Sequence, residues 1–284
     1  MQASTYPLNL QRYQQGFNAA EDQVSVEEPL AIRLDYRAHG QRHETELVIT
    51  MRTPGHDAEL AVGWLYAEGL IQSEHQIQQI QPCGPLQNEK GLQNVIRVCL
   101  DDDVIVDLST LKRNTVMYSG CGVCGKASLE QLQVQLTHQL ADHSQPTAFV
   151  ITADALLHLP EQLHHHQQQF QQTGGLHAAG LFNHQGRLWQ VYEDVGRHNA
   201  LDKLIGHTLL NNEPCIQHGL LLSGRVSFEL MQKACQAGIG LVCAVGAPSS
   251  LAVQMAQRFE VTLVGFLKAQ SFNLYHQGQV IINS

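Results

Sequence analysis

The first third of the chain alternates apolar and polar residues in the way that half-buried strands do. Between its runs, Leu60, Trp64 and Leu65 fall on one face of a predicted helix over residues 57–71, with Asp57 as its N-cap. The runs that predict strands are residues 24–36, 43–52, 92–100 and 103–109. We therefore expect a small α+β domain over residues 1–110.

The pattern then changes, because residues 111–126 show no sustained period and contain several glycines. We interpret this stretch as a mobile loop that carries two cysteines, Cys121 and Cys124. The apolar patterns that follow predict helices over residues 127–140, 153–172 and 197–211, and a hairpin over residues 176–194.

Residues 219–238 and 240–259 repeat one pattern: a short buried strand, a glycine, a serine and an amphipathic helix. With a last strand over residues 261–269, this alternation predicts parallel βαβ crossovers. The fold class is therefore α/β, with a layered α/β domain over residues 127–284 behind the smaller α+β part.

Open α/β sheets bind ligands beyond the carboxyl ends of their strands, where helix N-termini present free N–H groups. The small residues predicted at these places are Gly224, Ser227, Gly246, Ser249 and Ser250. A phosphate-bearing ligand would fit there, but serines at such places are more often simple N-caps. The glycine spacing is neither that of a P-loop nor that of a dinucleotide-binding motif.

Composition narrows the class of protein. Of 284 residues, 43% are hydrophobic and 15% are charged, and the formal net charge is −9, which argues against a general nucleic-acid binder. Seven cysteines with one close pair do not resemble a disulfide framework, and the polar N-terminus shows no export signal. No run reaches the roughly 18 apolar residues of a membrane span. We expect a cytoplasmic protein, and we interpret the histidine-rich residues 161–172 as a solvated helix face.

The close pair, Cys121 and Cys124, allows three kinds of chemistry. A structural zinc site needs four ligands, and no second Cys-x-x-Cys is present to supply them. A thioredoxin-like redox pair follows a buried strand, which the preceding residues do not resemble, although Lys126 could still lower a thiol pKa. A sulfur carrier needs an exposed, low-pKa thiol on a mobile segment, and the flanking glycines fit that role best.

A second dense group of polar residues spans residues 193–203, at a predicted strand-to-helix junction. Some of it has ordinary explanations, since Asp194 could cap the helix and Asp202 with Lys203 could form a solvated face. A carboxylate pair beside Arg197 and His198 at the edge of a sheet favours a pocket instead.

These segments together resemble the FdhD family, from about residue 24 to the C-terminus. The motifs that carry the resemblance are "EEPLAIRL", "LAVGWLYAEGLI", "SGCGVCG", "TGGLHAAG", "YEDVGRHNALDKLIG", "SGRVSFELMQKA", "GAPSSLAV" and "LVGF". The family comprises sulfurtransferases, or sulfur carriers, that formate dehydrogenase requires for activity. The resemblance implies that a persulfide sulfur passes from a cysteine desulfurase to the molybdenum bis(molybdopterin guanine dinucleotide) cofactor.

The resemblance also implies particular residues. Cys121 is expected to carry the persulfide, with Cys124 as its partner, and no permanent metal is expected. The resemblance places the cofactor site at the segment after the last core strand, namely Phe266, Leu267, Lys268, Ala269, Gln270 and Ser271. From the residue patterns we expect the same pocket to be lined also by His177, Asp194, Arg197, His198 and Ser249. The C-terminal domain is expected to be similar to the cytidine-deaminase fold, and the protein is expected to form homodimers.

The chain departs from its presumed relatives in two respects. His177-Ala178-Ala179 lacks the glutamate that deaminase chemistry requires, and no zinc-binding Pro-Cys-x-x-Cys follows, so deamination is not expected. Relatives often carry a Gly-Arg turn after "VGF", where this chain has Lys268 as the substitute cation. A thiol–disulfide oxidoreductase and a cofactor-binding chaperone without sulfur transfer remain the alternative functions.

Overall fold

Four β-sheets and seven α-helices make up the part of the chain that the structure describes. This computed structural model describes residues 4–87, 92–108 and 149–284. Its strands are β1 (Thr5–Tyr13), β2 (Phe17–Ser25), β3 (Glu28–Ala38), β4 (Gln41–Arg52), β5 (Ile77–Gln87), β6 (Leu92–Leu100), β7 (Val150–Thr152), β8 (His177–Phe182), β9 (Leu188–Asp194), β10 (Gly219–Leu222), β11 (Leu241–Ala244), β12 (Thr262–Lys268), β13 (Ser271–His276) and β14 (Ile281–Asn283). Its α-helices are α1 (Asp57–Ala67), α2 (Ala153–Leu157), α3 (Leu159–His166), α4 (Gln168–Thr173), α5 (Arg197–Leu210), α6 (Phe228–Gln236) and α7 (Ser250–Arg258). Cys121, Cys124, the predicted loop and the predicted helix over residues 127–140 lie outside the described residues.

The first large sheet has the strand order β4-β3-β6-β5, and β3 runs antiparallel to β4 but parallel to β6. Alternate residues of β3, namely Leu30, Ile32 and Leu34, are completely buried. They share one hydrophobic core with Leu60 and Leu65 of α1. The period-two pattern of the sequence is therefore confirmed for β3, and one face of this sheet is covered by α1.

The second large sheet has the order β13-β12-β11-β10-β8-β9. Strands β10, β11 and β12 are parallel and are joined through α6 and α7, so the predicted βαβ crossovers are confirmed. The predicted hairpin is confirmed as the antiparallel pair β8 and β9, and β8 also pairs antiparallel with β10. Neighbouring residues of β10 point to opposite faces: Leu220 joins the core under α5 to α7, while Leu221 joins the core under α2 and α3. The result is the layered α/β architecture that the sequence predicts.

Helices α1 and α5 connect the two large sheets by crossing at very close range. A Cβ atom added to Gly63 would overlap the carbonyl oxygen of Asp202, and one added to Gly206 would overlap that of Glu59. Only glycine lets two helix backbones touch in this way. The main hydrophobic core runs without a break from the first sheet, through this crossing, into the second sheet.

Several local predictions are wrong, each for a physical reason. Asp57 is not an N-cap: its carboxylate oxygens lie 2.9 Å from Nε and from the second terminal nitrogen of the fully buried Arg52, and His56 occupies the cap position. Residues 103–108 form no strand, and Ile105 is 95% exposed. The single helix predicted over residues 153–172 is divided into α2, α3 and α4. Pro160 at the start of α3 has no N–H to continue the ladder from α2, and Gln167, with a ψ of 66°, leaves the helical conformation between α3 and α4.

The pattern also missed strands that are polar on both faces. The run over residues 24–36 is divided between β2 and β3, which belong to different sheets. The hairpin of β1 and β2, the strands β5 and β7, and the strands β13 and β14 beyond the expected last strand were not predicted. Among the helices of the described residues, none combines the length and the hydropathy that crossing a bilayer requires.

Candidate functional site

The predicted site residues gather at one edge of the second large sheet. The loops after β10, β11 and β12 all emerge there, and β8 begins there because it runs antiparallel to β10. Ser223 joins β8 to the first of these loops: its N–H donates to Ala178 O at 3.0 Å, and its Oγ accepts from Ala178 N at 2.8 Å. His177 therefore lies at the carboxyl end of β10.

Main-chain hydrogen bonds connect the three loops to one another. Gly246 N donates to Gly224 O at 3.2 Å, and Phe266 N donates to Gly246 O at 3.1 Å. Ser249 N donates to Val226 O at 2.9 Å. A Cβ atom on Gly246 would lie 2.8 Å from Gly224 O, so the close approach requires glycine at this position. The predicted edge is thus a continuous backbone surface rather than three independent loops.

The amino ends of α5, α6 and α7 also point to this edge, because each helix follows one of its strands. Ser227 and Ser249 are the N-caps of α6 and α7, and their Oγ atoms accept from Leu230 N at 3.4 Å and from Ala252 N at 3.2 Å. The ordinary interpretation of these serines as caps is therefore confirmed. The remaining N–H groups and the positive ends of three helix dipoles still favour an anion at this edge.

Two arginines add full positive charge to the edge. Arg197 begins α5, and the exposed Arg225 follows β10. Within the described residues, no side chain forms a hydrogen bond or an ion pair with either guanidinium. Both arginines lie near His177, whose Nδ1 would be 3.2 Å from a Cβ on Gly224. Burial, followed by the charges of Arg197 and Arg225, lowers the pKa of His177, so this imidazole is neutral at neutral pH.

His198 lies in the first turn of α5 and is also neutral. Its Nε2 is 3.4 Å from Ser227 Oγ and 3.9 Å from Glu229 Oε2. Burial is the main cause that lowers the pKa of His198 to about 4, and the charges of Lys233 and Arg197 add to it. The two histidines therefore offer uncharged nitrogens beside two permanent cations, an arrangement suited to a ligand that has both phosphates and hydrogen-bonding groups.

Asp194 does not line an accessible surface, although the sequence grouped it with the pocket residues. It is completely buried, and Lys203 Nζ lies 2.6 Å from its Oδ2. The same carboxylate accepts from Thr53 N at 3.1 Å, from Gly196 N at 2.8 Å and from Asn199 Nδ2 at 3.2 Å. Since four donors occupy both oxygens, Asp194 fixes the start of α5 against the end of β4 and thereby positions Arg197 and His198.

The alternative interpretation of Asp202 and Lys203 as a solvated face of α5 is wrong, because both side chains are buried. Asp202 and Lys203 are each only 1% exposed. Lys203 Nζ donates to Thr53 O at 2.9 Å, and Asp202 forms a two-pronged ion pair with Lys233 at 2.6 and 2.8 Å. These charges belong to the interior, where the close crossing of α1 and α5 leaves them no access to water.

The segment from residue 266 to residue 271 forms the end of β12 and the turn into β13. Phe266 is 42% exposed and has a φ of 52°, a left-handed conformation that is strained for an aromatic residue. Leu267 is completely buried with Phe182 and Leu221, so it belongs to the core rather than to a ligand surface. The members that are exposed on the turn are Lys268, Ala269, Gln270 and Ser271.

Arg225 is the residue that sequence reasoning missed. It stands within "SGRVSFEL", directly after Gly224 in the turn that follows β10, and a cation at such a strand-to-helix turn was a readable signal. Glu229 was missed as well, in the first turn of α6 beside His198.

The four buried cysteines of the described residues do not have the properties of nucleophiles. Cys99, Cys215, Cys235 and Cys243 are buried free thiols, and Cys83 is half-buried. Burial raises the pKa of Cys215 to about 11 and that of Cys235 to about 12. Thiolate chemistry is therefore not supported at these positions. Within the described ranges, the structure also contains no group of three His, Cys, Asp or Glu side chains placed to hold a metal ion.

Comparison with known proteins gives consistent matches. A model of the FdhD/NarQ family matches residues 25–282. "Sulfur carrier protein FdhD" of Streptomyces coelicolor is 45% identical over 256 residues, which cover 89% of this chain and 87% of that protein. The protein of the same name from Sulfurisphaera tokodaii is 40% identical over 263 residues, 92% of either chain. A crystal structure from Desulfotalea psychrophila, described as a formate dehydrogenase accessory protein, is similar in fold with a TM-score of 0.71 at 22% identity, covering 96% of this chain and 97% of that one.

Proposed function

This chain belongs to the FdhD/NarQ family, and on that premise we propose that it is a sulfur carrier that serves formate dehydrogenase. In this proposal, a cysteine desulfurase supplies a persulfide sulfur. The molybdenum bis(molybdopterin guanine dinucleotide) cofactor is the substrate that receives the sulfur before it enters formate dehydrogenase. The relatives that are 40–45% identical and are named for sulfur transport support the carrier role.

The observation that carries the proposal for the acceptor is the charge of the sheet edge. Arg197 and Arg225 have no partner among the described side chains, and the amino ends of three helices meet beside them. Such an edge is suited to phosphate groups, because backbone N–H groups and guanidinium groups both donate to phosphate oxygens. The guanine dinucleotide parts of the cofactor supply those phosphates. Lys268, exposed on the β12–β13 turn, is the further cation that we assign to them.

The neutral histidines add selectivity to this arrangement. His177 and His198 each present an uncharged ring between the arginines and the helix ends, since burial and neighbouring cations keep protons off them. A neutral imidazole both accepts and donates hydrogen bonds, whereas a lysine or an arginine in its place could only donate them. We propose that they contact the polar, uncharged parts of the cofactor, while Asp194 and Lys203 hold α5 in place from behind.

We assign the sulfur transfer itself to Cys121 and Cys124, which lie outside the described residues. The Cys121 thiolate attacks the outer sulfur of the donor persulfide, the S–S bond of the donor breaks, and the donor cysteine leaves as a thiolate. Cys121 then holds the sulfur as a persulfide of its own. Cys124 is the partner thiol in the hand-over to the cofactor.

The decisive experiment is intact-mass analysis of the full chain after incubation with a cysteine desulfurase and cysteine. The proposal expects a gain of one sulfur atom that is removed by a reductant and is absent from Cys121→Ala. Cys83→Ala, which changes the half-buried thiol of β5, is the matched control and should load normally. The protein would be a cofactor chaperone instead if the unmodified chain never gained sulfur and if Cys121→Ala and Cys124→Ala activated formate dehydrogenase as well as it does. Reduction of a generic disulfide without any desulfurase would identify an oxidoreductase.

We further propose that the protein acts in the cytoplasm as a homodimer. The free, buried thiols of the described residues are compatible with a reducing compartment. Light scattering on the purified chain tests the assembly, and a monomer at micromolar concentration would exclude it.

A further inference from the structure

A cavity of about 350 Å³ lies at the opposite end of α5 from the candidate site. Helix α5 has 14 residues, so its two ends are about 20 Å apart at 1.5 Å per residue. The walls come from the last turns of α1 and α5, from the residue that follows α6, and from the short segments around residues 72–74 and 212–216. None of these wall residues takes part in the sulfur-transfer proposal.

The cavity is electrically negative for two separate reasons. Three helices, α1, α5 and α6, end at its wall, through Tyr66, Leu209 and Ala237. Each helix C-terminus carries a partial negative charge from its aligned peptide dipoles, although some of its last carbonyl groups already accept hydrogen bonds, as Tyr66 O does from Gly69 N and Leu209 O from Asn212 N. The charged residues in the wall are Glu74 and Glu213, and the described lining contains no lysine or arginine to neutralise them.

The two carboxylates are also poorly supplied with hydrogen-bond donors. One buried oxygen of each, Oε1 of Glu74 and Oε2 of Glu213, accepts no hydrogen bond within the described residues. Their nearest basic neighbours are His75, with Nε2 at 3.2 Å, and His207, with Nε2 at 3.5 Å. Both neighbours carry charge only when protonated. Glu74 is the more buried of the two, with a side chain that is 19% exposed against 44% for Glu213. A partly desolvated carboxylate with no permanent cation beside it favours a positive ligand.

The rest of the wall is apolar and chemically inert. Ile205, Leu209 and Ile216 supply hydrocarbon surface. Cys215 does not add a reactive group: Thr208 Oγ1 donates to Ile205 O at 2.8 Å and lies 3.2 Å from Cys215 Sγ, so the thiol keeps its proton to donate to Thr208. Burial raises the pKa of that thiol to about 11. The cavity is therefore shaped for binding and not for covalent chemistry.

We propose that this cavity binds a small organic cation, namely a protonated primary amine on an unbranched apolar stem. The ammonium group lies against Glu74 and Glu213, and the stem packs on the isoleucine and leucine side chains. About 350 Å³ accommodates on the order of ten non-hydrogen atoms at roughly 30 Å³ each. This site is independent of the proposed sulfur transfer.

The test uses the full ¹⁵N-labelled chain and n-pentylammonium as the probe, with 1-pentanol as a probe of the same stem without charge. We expect saturable shifts of the backbone amides of Thr208, Ile216 and Ala237 with pentylammonium, and clearly weaker binding of the alcohol. Glu74→Gln and Glu213→Gln each remove one charge without changing shape, and each should weaken pentylammonium binding about fivefold. Glu161→Gln, on the exposed face of α3, is the matched control and should leave the affinity unchanged.

A second variant keeps the proposal falsifiable if the glutamine changes disturb folding. Ala237→Leu fills the cavity from the end of α6, and it should abolish binding while the thermal melting of the chain stays cooperative. The proposal is overturned if pentanol binds as tightly as pentylammonium, if the shifted amides lie elsewhere, or if no probe binds at millimolar concentration. It is equally overturned if the double variant Glu74→Gln/Glu213→Gln binds like the unmodified chain.

Discussion

Lys203 Nζ lies 2.6 Å from Asp194 Oδ2, and the two side chains are 2% and 0% exposed. The lysine also donates to Thr53 O, and the carboxylate also accepts from Thr53 N. This pair therefore joins the end of β4 in the first sheet to the end of β9 in the second. It lies behind Arg197 and His198 at the start of α5, so it sets the position of these two residues at the sheet edge.

Removing the lysine alone should be severely destabilising. Lys203→Met leaves the Asp194 carboxylate buried without its cation, and we expect a loss of about 3–5 kcal/mol in the free energy of unfolding, measured by urea denaturation. Lys203→Met/Asp194→Asn removes both charges and should recover part of that loss. Arg37→Met, which breaks an exposed pair with Asp102, is the control and should cost under about 1 kcal/mol. Equal costs for the buried and the exposed pair would contradict the prediction.

The helix crossing should not tolerate even one added methyl group. Gly63→Ala places a Cβ on the carbonyl oxygen of Asp202, which is main chain and unable to turn aside. We expect a loss of at least about 3 kcal/mol, at the upper end of overpacking effects, in the same urea experiment. Gly175→Ala is the control, because its Cβ would meet only the hydroxyl of Ser25 at 3.0 Å, and a side chain can rotate. A near-neutral Gly63→Ala would show that the two helices can separate at little cost.

His198 should make stability depend on pH. The folded chain holds the pKa of His198 near 4, and the unfolded chain returns it to about 6.5, so the unfolded state binds more protons between these values. The contribution of His198 is therefore complete above pH 6.5 and is lost as the pH falls through 4. Allowing for a side chain that is 37% exposed, we expect a loss of about 1–2 kcal/mol.

His198→Gln isolates this effect from the other histidines. The difference in unfolding free energy between the unmodified chain and His198→Gln should shrink as the pH falls from 7 towards 4. The control is His165→Gln, at an exposed position on α3. If the unfolding free energies of the unmodified chain and of His198→Gln changed with pH in parallel, this histidine would titrate normally in the folded chain.

The arginines of the sheet edge should control nucleotide affinity. Arg197→Ala and Arg225→Ala should each raise the Kd for guanosine diphosphate about tenfold, measured by calorimetry, because each loses a charge-assisted contact with phosphate. The affinity of the unmodified chain should fall as salt is added. Arg187→Ala, at the exposed turn at the other end of β8 and β9, is the matched control. Unchanged affinity in both edge variants would place the nucleotide elsewhere.

The sequence predicted best where local pattern and long-range packing agree. The two units that contain β10 with α6 and β11 with α7 each repeat an apolar run, a glycine, a capping serine and an amphipathic helix, and all four signals point to one structure. The edge of the sheet follows from that topology, so Ser249, Arg197 and His198 could be placed there before any coordinates. Arg225 could have been placed at this edge as well, because it lies in the turn between β10 and α6.

The sequence could not show which charges point inwards. Asp194 and Lys203 look like surface residues of an amphipathic helix junction, and only the close crossing of α1 and α5 removes them from water. Leu267 lies between two exposed residues, as the alternating pattern of a strand predicts. The face of the sheet that it occupies, however, depends on the bulge between Gly265 and Lys268. The polar strands β1, β2, β5 and β13 lack the apolar period on which strand prediction depends.

The contact of Gly63 and Gly206 with the opposing backbones has a consequence for how a sulfur shuttle could operate. Two main chains in direct contact, with a buried ion pair beside them, form a rigid connection between the two sheets. Movement of one sheet relative to the other is thereby suppressed, because it would have to break both the main-chain contact and the ion pair. In the proposed sulfur transfer, the two sheets would therefore stay fixed relative to each other, and any movement between donor and acceptor would come from whole molecules or from segments outside the two sheets.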